Sequence, residues 1–310
     1  MRSSTSVAVA CLAASVSAHG VVTKITGANG VEMPGLTVAD GTPRDCSSNG
    51  CGSQADTAII RDREISSGAV GPLGKTQGNG PVDPAMMIGV FMGDMDPAMA
   101  PTNGASSGVG QEDDLSAAPG GAAAGGAGGR NNRNNNKIRQ LLAGLLGGGG
   151  GNNAQGTKST GPPETMVKAM AGAGSSQGLP TANEDGTVDV TFRQINQDGA
   201  GPLEAMVDGT SGGTDMAAFQ EAQVTQNVPG LVAGISATTT SDFPVKVQMP
   251  AGTTCDATVG SATNVCVMRL RNNTPAGPFG GAVAFTQTPA ARKRALEYRK
   301  KMRKARAFQA

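Results

Sequence analysis

Tryptophan is absent from this chain, tyrosine occurs once as Tyr298, and histidine occurs once as His19. Each scarcity removes a class of chemistry. A Ser-His-Asp or Cys-His centre would have to use His19 as its base. Few aromatic rings means almost no flat platforms on which sugar rings could stack. No C-x₂-C pair occurs, so the cysteines do not read as a structural zinc site. Lys75 lies among glycines, but without the spacing or the Ser/Thr partner of a phosphate-binding loop. With large side chains so few, a core has to be assembled from Val, Ile, Met and Phe.

Glycine is abundant, at 47 of 310 residues, which points to a loop-rich and turn-rich protein. The N-terminus carries Arg2 and an apolar run, Val7 to Val16, closing on the small-residue pattern Val16-x-Ala18. This pattern matches a secretory signal peptide over residues 1–18, and the run is too short to span a bilayer. Cleavage after Ala18 makes His19 the first residue of the mature chain, where its α-amino and ring nitrogens could both face a metal. Cys11 leaves with the leader. The remaining Cys46, Cys51, Cys255 and Cys266 are an even set in a secreted context, which implies two disulfides. Three connectivities are open, and the two local pairs, Cys46–Cys51 and Cys255–Cys266, are favoured.

The formal net charge of +1 conceals two blocks of opposite sign. Residues 292–310 carry nine Lys/Arg and one acid, Glu297, whereas residues 19–291 carry 15 bases and 23 acids. A body of charge −8 therefore bears a basic tail of +8, the pattern of a solvated arm or an interaction tail. The apolar residues Leu296, Tyr298, Met302 and Phe308 give the tail no clean helical stripe by themselves, so a solvated helix or arm is expected. It could attach to its own acidic body, to anionic lipid or to a host polyanion, or be cut at the dibasic Lys293-Arg294.

Along the chain, Val21 to Thr26 reads as a strand ended by the Asn29-Gly30 turn. Thr57 to Ile60 reads as a short strand. The Gly/Pro-rich segment Gly68 to Pro84 is expected to be irregular, and Met86 to Met92 is expected to be a strand buried on both faces. Residues 103–163 are Gly/Ala-rich, then Asn/Arg-rich, then glycine-rich, and too polar to offset the entropy of ordering; a disordered insertion is expected. Ile138, Leu141, Leu142, Leu145 and Leu146 form a helical apolar face inside it. A short helix is expected over Glu164 to Met170. In Thr187 to Ile195, Val188, Val190 and Phe192 alternate with Asp189, Thr191 and Arg193, the mark of a strand with one buried face. Leu203 to Val207, Val245 to Met249, Asn264 to Arg271 and Ala282 to Gln287 continue the series. In the third of these, Cys266, Met268 and Leu270 face one way, and Val265, Val267, Arg269 and Arg271 the other. The expected fold is mainly β, an antiparallel β-sandwich with long irregular loops. A single domain over 19–291 is interrupted by the insertion 103–163 and followed by the tail 292–310.

Several blocks, taken in order, resemble one family. They are His19-Gly20-Val21-Val22, Gly41-Thr42-Pro43-Arg44-Asp45, and Gly71-Pro72-Leu73-Gly74-Lys75-Thr76 with Gly80-Pro81-Val82-Asp83. Thr191 to Pro202, Met249 to Cys255 and Gly277-Pro278-Phe279-Gly280-Gly281 follow. The order of these blocks is similar to that of the Egh-like secreted fungal virulence factors, the appressorium-specific MAS/GAS-type proteins. The resemblance covers most of His19 to Gln287 and implies a secreted fungal protein acting at the host interface during penetration. It supplies no reaction.

An N-terminal histidine on a β-sandwich is also similar to the copper brace of lytic polysaccharide monooxygenases. That brace needs a second imidazole to complete three nitrogen donors. The resemblance implies a histidine where this chain has Arg193, a permanent cation that cannot ligate. His19 is therefore an incomplete metal position, Arg193 a degenerate second-ligand position, and Asn196 and Asp198 auxiliary oxygen donors. Copper is the one cofactor the pattern allows, and no cofactor is expected with assurance.

Paired carboxylates such as Asp94 with Asp96, or Asp198 with Asp208, have the composition of a glycoside hydrolase pair, but acids beside Gly and Pro are more often turn formers. Asn196-x-Asp198-Gly199 lacks the bidentate glutamate of a calcium loop. Asn272-Asn273-Thr274 is the only glycosylation sequon. The residues thus point to a non-catalytic secreted effector whose partner is a host surface or cell-wall component, with no nucleic acid and no membrane span. The alternative is a divergent copper-dependent redox protein acting on cell-wall polysaccharide.

Overall fold

The computed structural model describes residues 19–39, 55–76, 78–102, 157–158, 166–196, 199–230, 236, 238, 241–274 and 277–307. The Cys46–Cys51 pair, Asp198 and the Ile138 to Leu146 segment lie outside the described residues. Of the expected insertion 103–163, only Thr157–Lys158 is described, and those two residues pair with a core strand.

Along the chain run β1 (Gly20–Thr26), β2 (Glu32–Pro34), β3 (Ala58–Ile59), α1 (Asp62–Ser66), β4 (Lys75–Thr76), β5 (Gly80–Pro81) and α2 (Pro84–Met92). There follow β6 (Thr157–Lys158), α3 (Ala173–Gln177), β7 (Thr187–Gln194), β8 (Glu204–Asp208) and β9 (Phe219–Gln226). The chain closes with β10 (Ser241–Gln248), β11 (Ala257–Val259), β12 (Ala262–Arg271), β13 (Phe279–Phe285) and α4 (Pro289–Ala307). The strands order as β2-β1-β7-β10-β9-β8-β12-β13-β3-β4-β5, with β6 added to β10 and β11 to β12; every pairing is antiparallel. The sheet curls into a half-barrel, as expected of a β-sandwich. Its two halves meet through β9, whose first residues pair with β8 and whose last pair with β10.

The alternation in β7 does what its sequence pattern predicts. Val188, Val190 and Phe192 enter the main core beside Val245 and Val247 of β10 and Met268 and Leu270 of β12. Closure demands a near-absence of side chain where β1 passes β13. A Cβ on Gly281 would stand 3.0 Å from the Val22 side chain, tighter than ordinary van der Waals contact. In β12 both faces are covered, because Val265 and Val267 are as buried as Cys266 and Leu270. Arg269 is buried with them. Its Nη1 donates to the Pro72 carbonyl at 2.7 Å, and its guanidinium lies 5.4 Å from the Phe219 ring centroid. Burial, assisted by the neighbouring Arg271, pushes its pKa down to about 10 against the opposing pull of Asp62 and Glu204, so it stays protonated at neutral pH.

Three expectations change. Met86 to Met92 belongs to a helix, α2, rather than a strand. Asp83 Oδ1 caps it by accepting from Met86 N at 3.0 Å, Pro84 starts it, and Gly93 in the left-handed region (φ 85°) ends it. Met87, Ile88, Val90 and Phe91 are all buried, so no polar stripe exists to betray the helical period. The helix expected over Glu164 to Met170 is, among the described residues, a single 3₁₀ turn at Lys168–Met170 behind the buried Val167. The basic tail is a 19-residue helix that starts at Pro289 and is partly docked: Ala291 and Ala295 are buried, and Arg292 Nη2 pairs with Asp256 at 2.6 Å. Alanines complete the stripe that the large residues alone do not make, since Ala291, Ala295, Tyr298, Met302 and Ala305 recur at alternating spacings of four and three. No helix among the described residues is long and apolar enough to cross a membrane.

Cys255 and Cys266 are bridged across 11 residues, holding the loop after β10 to the middle of β12. Replacing both by serine is expected to cost about 2–4 kcal/mol. A urea midpoint matching that of the parent protein would show that the bridge adds nothing.

Candidate functional site

The ladder β1-β7-β10 brings His19, Arg193 and Asn196 together. Val21 stands opposite Arg193 on one side, and Asp242 opposite Arg193 on the other. Residues i and i+2 share a strand face, so His19 lies on the same face as Arg193, diagonally across the β1–β7 pair. This is the face away from Phe192 and the main core. It is covered nonetheless: His19 is 1% exposed and Arg193 2%.

Each of these groups is held. The His19 N–H donates to Asn196 Oδ1 at 2.5 Å, and the His19 carbonyl accepts from Ile195 N at 3.0 Å. Asn196 Nδ2 lies 3.4 Å from His19 Nδ1, and the imidazole stacks on Phe279 of β13 at 4.8 Å between centroids. Asn196 is fixed in turn by Gln194, whose Nε2 donates to the Asn196 carbonyl at 2.9 Å, to Ser236 Oγ at 3.1 Å and to the Thr238 carbonyl at 2.7 Å. A Cβ at residue 199 would fall 1.8 Å from the His19 carbonyl oxygen, so only glycine lets the chain pass there. Arg193 forms a two-pronged pair with Asp242, Nε to Oδ1 at 2.7 Å and Nη2 to Oδ2 at 2.8 Å. Such a fork satisfies the guanidinium with a carboxylate that the sequence pattern did not single out.

The donor set does not fit a copper brace. On the adjacent strand Arg193 is a cation paired with Asp242, and Asn196 Oδ1 is already engaged by the His19 N–H. Among the described residues no group of three His, Cys, Asp or Glu could hold a metal ion. The pocket is built for packing and neutralisation.

Of the acids weighed for hydrolysis, Asp94, Asp96 and Asp208 serve turns and caps. Asp94 Oδ2 accepts from Ser261 N at 2.7 Å, and Asp96 Oδ1 caps the 3₁₀ turn Pro97–Met99 through Ala98 N at 2.8 Å. Asp208 is wholly buried at the end of β8. Burial opposes its ionisation, but hydrogen bonds from the Ser211 hydroxyl and from the N–H groups of Ser211, Thr210 and Gly213 outweigh that and hold the carboxyl below its ordinary value. It is an ionised staple for a turn. Asn272, the sequon asparagine, is also wholly buried; its Nδ2 donates to the Ala200 carbonyl at 3.2 Å and its Oδ1 accepts from Phe279 N at 2.9 Å. In the folded chain that nitrogen is therefore engaged inside the protein rather than presented at the surface.

The Egh16-like virulence factor family model matches residues 17–280. The chain belongs to the Egh16-like virulence factor family. It is 52% identical over 289 residues to the appressoria-specific virulence factor GAS2 of Pyricularia oryzae, covering 92% of this chain and 89% of that protein. It is 38% identical over 137 residues to the appressoria-specific virulence factor GAS1 of the same fungus, covering 43% of this chain and 53% of that protein. The family match thus takes in every residue of the His19–Arg193–Asn196 assembly and stops short of α4.

Two outcomes are expected. Asp208 has a folded-state value below its unfolded one, so its stabilisation is fully present above about pH 4 and is lost as pH falls through the folded value. Asp208→Asn should therefore cost about 2 kcal/mol at pH 7 and much less at pH 3, read from urea midpoints; equal losses at both would refute the ionised staple. For Asn272, the intact mass of protein secreted from a glycosylating host should contain no N-glycan, and a peptide carrying one at Asn272 would contradict the buried assignment.

Proposed function

We propose that this chain is a secreted virulence factor that works at the fungus–host boundary during penetration, as a binding protein rather than a catalyst. The relationship to an appressoria-specific virulence factor at 52% identity over 92% of the chain carries the biological half of this reading. The leader pattern ending at Ala18 supports secretion, and the disulfide between Cys255 and Cys266 is of the kind that persists in oxidising compartments. The Arg193–Asp242 pair carries the chemical half. A divergent copper redox protein would need an imidazole at Arg193, and the sequence has no histidine besides His19.

Expression of the full chain in a filamentous fungus tests both halves. The protein is expected in the medium, beginning at His19, and its titration with Cu(II) should give no tight nitrogen-rich site. Retention inside the cell would overturn the secreted reading. An electron paramagnetic resonance spectrum with three nitrogen ligands at sub-micromolar affinity would overturn the non-catalytic one. Arg193→His, which restores the second imidazole on the shared strand face, should raise copper affinity over the parent.

A further inference from the structure

Docking of α4 on the sheet leaves an open groove of about 580 Å³ between the helix and the outer faces of β9 and β10. Its floor is made of amides. Gln223 of β9 and Gln248 of β10 are direct cross-strand partners and both line the groove. Glu184, Asp185 and Glu221 line it from the body side, and Arg294 and Tyr298 from the helix side. The volume is within the usual range for small-molecule sites, and the lining mixes these polar groups with apolar ones such as Met249, Pro250 and Ala295.

Two independent features narrow the ligand. Planar amide, carboxylate and guanidinium groups can each meet two adjacent hydroxyls at once, accepting and donating in one plane. The second feature is the position of Tyr298. It is the only tyrosine, it is 43% exposed, and among the described residues every phenylalanine is buried. Tyr298 lines this groove, with one edge of its ring close beside Gly252. An aromatic face beside planar polar groups suits a ring that is apolar on its C–H face and polar at its edge. The charges bear on the choice too: three carboxylates against one guanidinium disfavour an acidic ligand.

We propose that the groove between α4 and the β9–β10 face binds a short neutral or amino-bearing oligosaccharide, with Tyr298 stacking on a sugar ring and Gln223 and Glu221 taking its hydroxyls. The inference rests on the reading of the chain as a binding protein and names the class of ligand bound.

Calorimetric titration of the full secreted chain with cellohexaose, chitohexaose, a glucosamine hexamer and a galacturonate hexamer provides the test. At least one of the first three is expected to bind, and the galacturonate hexamer to bind more weakly or not at all. Tyr298→Ala and Gln223→Ala should each weaken binding by roughly 5–10-fold, while Tyr298→Phe keeps the affinity. Both positions are exposed, so unchanged thermal midpoints should accompany the losses. Failure of all three neutral or amino-bearing hexamers, preference for the galacturonate, or a Tyr298→Ala protein that binds like the parent would each overturn the proposal. The secretion and copper experiments read out separately, so failure of the groove and failure of the functional reading are distinguishable.

Discussion

Strand β9 divides its hydrogen bonds between two neighbours, giving Phe219–Ala222 to β8 and Gln223–Gln226 to β10. That division makes one curled sheet out of two halves. It allows β1 to fold over β13, where Gly281 admits the Val22 side chain, and the space enclosed is filled by Val, Ile, Met and Phe from both halves. The chain has few large aromatic residues, so its core depends on many medium-sized side chains brought close by strand pairing. Interiors packed to that density tolerate little extra volume at the contact between halves.

The outer face of β1 and β7 is closed over as well: the His19 ring stacks on Phe279 of the opposite half, and Val21 and Ile195 pack with Val38. An isolated guanidinium in that place would be costly, and Asp242 on the adjacent strand offsets the cost with a bidentate pair. His19 and Arg193 thereby hold strands together.

The C-terminal helix shows how charge and packing share an interface. Its first turns are anchored by buried alanines and by the Arg292–Asp256 pair, so the basic tail is attached to the acidic body. Beyond Ala295 the same stripe continues into Tyr298 and Met302, which remain exposed. The groove beside it is lined by Ala291 and Ala295 of the docked turns and by Arg294 and Tyr298 farther along the helix.

Much of this was legible in the residues alone. Alternation located β7, β10 and β12, because a half-buried strand repeats every two residues whatever it packs against. The Cys255–Cys266 bridge was readable from cysteine spacing, and the order of the short blocks from His19 to Gly281 identified the family. The helix α2 was misread as a strand because an element buried on all sides loses its periodicity, although Asp83, Pro84 and Gly93 mark its two ends. The sequon at Asn272 gave no hint of its burial, since burial depends on segments more than 70 residues away. Asp242 as the partner of Arg193, the curl imposed by β9 and the groove under Tyr298 are likewise tertiary. Composition and local pattern determined which segments are strands and to which family they belong. Only the folded chain decided which charged side chains meet, because pairing across strands 49 residues apart is set by register and curvature, which no local pattern encodes.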